Sequence, residues 1–114
     1  MKANKLKPYW FTPTGEKSKK KPFKVQLKPL DALAAVDVMD NVIDMGNDTY
    51  KPNKAARETL IEEGIVGWQN MADDTGDMPF SLDNVKYIRP AYLLEIINEL
   101  FSASITGGES RKNS

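Results

Sequence analysis

The side chains that first suggest chemistry are Asp73, Thr75 and Asp77, which alternate through Met71-Ala72-Asp73-Asp74-Thr75-Gly76-Asp77 as the ligands of a calcium loop do. Such a loop also needs Gly at its sixth position and Glu at its twelfth, where this chain has Met78 and Asn84. An acidic β-turn is the better account. The sequence holds no Cys and no His, so thiolate nucleophiles, disulfides, thiolate zinc sites and imidazole bases are excluded. A general base would have to be a carboxylate, and no carboxylate pair stands in a recognisably apolar stretch. The expectation is a protein with no enzymatic activity, no metal and no cofactor, whose function lies in its surfaces.

Two surfaces are suggested. Asp31 can cap a helix over residues 31–45, ended by Gly46. At 100° per residue Ala32, Ala35, Val36, Met39, Val42 and Ile43 fall on one face, and Asp37, Asp40, Asn41 and Asp44 on the opposite one. Asp37, Asp40 and Asp44, with Leu33 near them as an exposed apolar contact, form a candidate docking stripe; its bland alternative is a solubilising face. The second surface is the lysine-rich start of the chain, where Tyr9, Trp10 and Phe11 could stack on bases, while Tyr9 and Phe11 are also candidate partner contacts. A formal net charge of zero weighs against nucleic acid, because phosphate binding dominates such affinity.

The elements that must position these residues point to an α+β fold: an N-terminal β-hairpin followed by a small, mainly helical domain of three to four helices. Phe23, Val25 and Leu27 alternate with Lys24, Gln26 and Lys28, and Tyr9 to Thr12 supplies the other arm of a hairpin over about 9–28. Lys17-Ser18-Lys19-Lys20-Lys21 is too polar and like-charged to pack and predicts a loose loop. An isolated hairpin is marginal in water, so Tyr9 or Phe11, with Val25 and Leu27, must lie on helices or on another subunit. Further helices are expected at about 53–63, 82–87 capped by Ser81, and 90–105. Gly64 is placed as a left-handed C-cap, with Ile65 as its hydrophobic contact. Trp68 is expected to fill the core between helices, and Phe80, Ile96 and Leu100 to join that core. One domain spans 8–106, after a flexible basic stretch at 1–7 and before a disordered polar tail at 107–114.

Charge is polarised along the chain. Nine lysines and one acid lie in the first 28 residues, whereas residues 31 to 83 hold twelve acids against Lys51, Lys54 and Arg57. Such a separation can steer a partner, or another copy head to tail into a homo-oligomer; its bland alternative is solvated faces on separate elements. No apolar run approaches membrane-spanning length, and the absence of cysteine fits a reducing cytoplasm.

The order of the pieces carries a resemblance. An aromatic-rich opening strand, a basic loop, a strand ending in Lys28-Pro29-Leu30, then Val66-Gly67-Trp68, an Asp/Gly turn, Pro79-Phe80-Ser81 with Asn84, and finally Lys112-Asn113 resemble the tail assembly chaperones of long-tailed bacteriophages and prophages. The resemblance runs from about Tyr9 to Asn113. It implies a host-cytoplasmic protein, absent from the mature virion, that multimerises along the tape-measure protein, shields its apolar helices and recruits the tail-tube protein. It also implies ribosomal slippage near Arg111-Lys112-Asn113 that yields a longer product. The competing readings are a nucleic-acid-binding module and a structural head-tail joining protein.

Overall fold

The computed structural model describes Met1 and residues 6–105. The stretch 107–114, expected to be disordered, and the Arg111-Lys112-Asn113 segment lie outside the described residues, as does most of the basic start. The α+β class expected from the sequence is the one observed. Strands β1 (Tyr9–Phe11) and β2 (Lys24–Leu27) are followed by α1 (Ala32–Met39), β3 (Val42–Gly46), β4 (Thr49–Pro52) and α2 (Lys54–Gly64). Then come β5 (Ile65–Gln69), β6 (Ala72–Asp73), β7 (Gly76–Asp77), a 3-10 turn at Leu82–Tyr87 and α3 (Pro90–Ile105). A further 3-10 turn, Thr14–Glu16, lies between β1 and β2.

β1, β2 and β5 form one antiparallel sheet in that order, with Tyr9 opposite Leu27 and Phe11 opposite Val25. Ile65 and Trp68 are three apart, which would place them on opposite faces of a regular strand. Gln26 pairs with Gly67 but Leu27 with Ile65, so Val66 is an extra residue that turns both large side chains to the inner face. There Phe23, Val25, Leu27 and Ile65 meet Leu60 of α2 and Ile96, Ile97 and Leu100 of α3 in one buried cluster. Val25 and Leu27 are completely buried within this chain, so the hairpin needs no second subunit to cover it.

Local chemistry accounts for the helix starts. The side chains of Asp31, Asn53 and Ser81 each accept from the backbone N–H three residues on, at Ala34, Ala56 and Asn84. The end of α2 differs from the expected left-handed cap. Gly64 is not among the positive-φ residues, and the helix passes straight into β5 at Ile65. Glycine is required for space instead: a Cβ there would lie 2.6 Å from Leu100 Cδ2 and 2.8 Å from Leu100 Cδ1.

The helix expected over 31–45 also stops early. After Met39 the chain builds a two-stranded hairpin, β3–β4, around Asn47 and Asp48 at φ of 55° and 58°. Two consecutive left-handed residues fit the right-handed twist of a tight hairpin, and Asn and Asp adopt that conformation most readily after Gly. The β-branched Val42 and Ile43 therefore serve a strand and not a fourth helical turn. The buried side of α1 is Ala34, Ala35 and Val38, which leaves Val36 and Met39, placed on the apolar face by their spacing, each 55% exposed.

A row of hydrogen bonds ties the N-terminal segment to α3. Tyr9 Oη donates to Glu99 Oε2 at 2.6 Å, Thr14 Oγ1 to Glu95 Oε1 at 2.6 Å, Tyr92 Oη to Glu16 Oε2 at 2.8 Å, and the Leu30 N–H to Ser104 Oγ at 3.0 Å. Tyr92, Glu95 and Glu99 are spaced three and four apart, one stripe of the helix. The polar side of α3 is thus a second packing surface, although Glu95 reads from sequence as a residue left outside the apolar stripe.

Candidate functional site

The lysine-rich loop is anchored where a loose connection is expected. Glu16 is only 5% exposed and accepts from Lys19 Nζ, from Tyr92 Oη and, at 2.8 Å, from the Phe23 N–H. The Lys19 bond, the Phe23 amide and the Tyr92 hydroxyl outweigh burial and hold its carboxyl down to about 2. The same bond to Glu16 raises the Tyr92 hydroxyl above its usual value. Glu95, which accepts from both the hydroxyl and the N–H of Thr14, is likewise lowered. These carboxylates fasten the loop to α3, an architectural task.

Tyr9 and Phe11, candidate partner contacts from the sequence, are turned inward and half-buried against the core, Tyr9 with its hydroxyl on Glu99. Of the three aromatics only Trp10 faces out, 46% exposed. A stacking platform of three rings is therefore not present on this hairpin. Trp68 is corrected as well: half-buried on β5, it meets Phe23 and Phe80 edge-on at centroid distances of 6.2 and 5.1 Å, and its Nε1 donates to the Met78 carbonyl at 2.9 Å. It seals the flank of the sheet and does not lie between helices. Phe80 is half-buried beside it, whereas Ile96 and Leu100 are fully buried.

The Asp73 to Asp77 turn is the tip of the β6–β7 hairpin. Asp73 Oδ1 accepts from the N–H and hydroxyl of Thr75 at 2.8 and 2.7 Å, which lowers the Asp73 pKa. Among the described residues no three His, Cys, Asp or Glu side chains gather to hold a metal ion.

What the fold does assemble is an apolar groove on an acidic face. Met39 at the end of α1, Val42 and Tyr50 on the β3–β4 arm, and Phe101 and Ile105 on the last turns of α3 line an open cavity of about 530 Å³, with Asp48 and Thr49 at the arm's tip. Of the lining Tyr50 is 50% exposed, and the same segment exposes Leu33, at 83%, with Val36, Ile43 and Met45. Residues 31 to 50 contain five aspartates and neither Lys nor Arg. Asp37 is on α1 and Asp40 caps its end, but Asp44 is on β3, so the three do not form the single helical stripe that their spacing predicts. Asp44 pairs in register with Tyr50, which places both side chains on one face of the arm. Its Oδ1 accepts from the Gly46 N–H at 2.8 Å. None of these aspartates is ion-paired with a described residue.

Asp48 and Tyr50 were not singled out by sequence reasoning. Their signal was Gly46-Asn47-Asp48 between Val42-Ile43 and Thr49-Tyr50, a turn between two β-forming pairs. The fold defines a small α+β domain with an exposed apolar groove. No family model matches the chain, and neither a curated protein nor a solved structure matches it.

Proposed function

We propose that this protein is a non-catalytic holding protein of the phage tail-assembly-chaperone kind, which covers apolar helices of the tape-measure protein until the tail is built around them. The observation that supports the reading is the open apolar groove lined by Met39, Val42, Tyr50, Phe101 and Ile105, on a stretch of chain whose Leu33, Val36, Ile43 and Met45 are exposed as well. A single exposed apolar residue needs no explanation, whereas several in one patch mark an interaction surface. Two of them are methionines, whose flexible thioethers adapt to differing partners. Holding requires only that the client's exposed state be bound more tightly than its aggregates form, so no turnover is involved.

The test is co-expression with the tape-measure protein encoded beside the gene. Wild-type protein should keep that client in the soluble fraction, and the double variant Met39→Ser with Tyr50→Ser should lose the effect while staying folded, since each side chain is already half in water. A client equally soluble with the double variant, or a gene that does not lie between a tail-tube gene and a long tape-measure gene, would refute the proposal.

A further inference from the structure

We infer that the groove selects its occupant by charge: it takes an amphipathic helix that carries Lys or Arg alongside its apolar face. This rests on the reading of the groove as a client site and names the chemistry of the client.

Two observations narrow the occupant. Asp48 lines the groove itself and Asp44 shares the arm face of Tyr50, so carboxylates border the apolar lining along the arm. An acidic edge along an apolar trough is complementary to a basic amphipathic helix and repels an acidic one. No described part of a second copy meets both requirements. Docking groove to groove would set Asp44 and Asp48 of one copy against those of the other, and the lysine loop, Lys17-Ser18-Lys19-Lys20-Lys21, brings charge but no apolar side chain to fill the cavity. The apolar stripe of α3 is not on offer either, because Ile96, Ile97 and Leu100 are buried in their own core.

The experiment uses the full chain and two fluorescent designed helical peptides with the same Leu and Ala face, one flanked by Lys and the other by Glu. The Lys peptide should bind at least about tenfold more tightly at low salt, and the preference should shrink as salt screens it. Asp44→Asn with Asp48→Asn should bring the ratio towards one. Asn keeps an oxygen to accept from Gly46 N–H and tolerates the left-handed turn, so the fold is retained. Tyr50→Ser should weaken both peptides.

Equal binding of the two peptides would overturn the charge selection while leaving the holding function standing. Binding that ignores Tyr50→Ser would overturn the location. If sedimentation shows a self-associated protein that Tyr50→Ser makes monomeric, the occupant is a second copy and the inference fails. Loss of client holding in cells despite charge-selective peptide binding would instead count against the proposed function alone.

Discussion

Replacing Glu16 by Gln tests whether one buried carboxylate fastens the lysine loop. With the folded carboxyl at about 2 and an ordinary value of 4.5, linkage gives about 3 kcal/mol of stability at pH 7. The hydrogen bonds give a similar figure, since bonds to a charged group contribute roughly 1.5–3 kcal/mol each and Gln preserves an acceptor only for the Phe23 N–H. The sign follows from a depressed folded pKa: the contribution is fully present above 4.5 and is lost as pH falls through the folded value near 2. At pH 3 it should have shrunk to about 1 kcal/mol. Other carboxylates titrate in the same window, so the informative quantity is the difference between wild type and Glu16→Gln. Urea unfolding followed by Trp68 fluorescence at pH 7 and pH 3 measures it, the ring being in edge contact with Phe23. Lys19→Gln should reproduce part of the loss, and Lys17→Gln with Lys20→Gln and Lys21→Gln should cost almost nothing because those side chains are exposed. A gap between wild type and Glu16→Gln that stays constant from pH 7 to pH 3, or no gap at pH 7, would refute the reasoning.

Gly64→Ala should destabilise by about 1–3 kcal/mol through its clash with the fully buried Leu100, overriding the gain of up to ~1 kcal/mol that Ala normally brings to a helix. A raised urea midpoint would contradict the packing, and Leu100→Ala in the same chain should cost less than the two changes added together. Trp68→Ala should lose about 3 kcal/mol, the lower end for a large aromatic because the ring is half-buried, and Trp68→Phe about 1 kcal/mol for the lost bond to the Met78 carbonyl. Equal stability of the Phe and Ala variants in calorimetry would show that the edge contacts with Phe23 and Phe80 contribute nothing.

Features whose cause is local were legible in the sequence. Caps at Asp31 and Ser81 need only a short polar side chain and the next three residues, and the alternation of Phe23, Val25 and Leu27 with lysines needs only one covered face. Other features depended on partners far along the chain. Glu16 was counted as one acid among nine lysines, because nothing near it in sequence announces Tyr92. Val42 and Ile43 continue the helical spacing of Met39 and also suit a strand, and only the left-handed pair Asn47-Asp48 separates the two readings. The groove was not legible for the same reason: Met39 and Val42 fall on one apolar helical face by spacing, and an apolar residue at regular spacing does not reveal whether anything in its own chain covers it. Leu33 was the part of that surface that the sequence exposed correctly, by lying off the apolar face.

The bonds between the N-terminal segment and α3 also set an order in time. Tyr9 and Glu99 are 90 residues apart, Thr14 and Glu95 81, and Glu16 and Tyr92 76. A ribosome needs roughly 5 to 20 s to make the 90 residues that part the first pair, far longer than a hairpin needs to form. α2 emerges early enough to receive part of Val25 and Leu27, but until α3 is made the strands lack the rest of their cover and Glu16 has no Tyr92. The opening of the chain is thus held in waiting until its last helix emerges, and the structure closes as a clasp does, by its two ends in one late step.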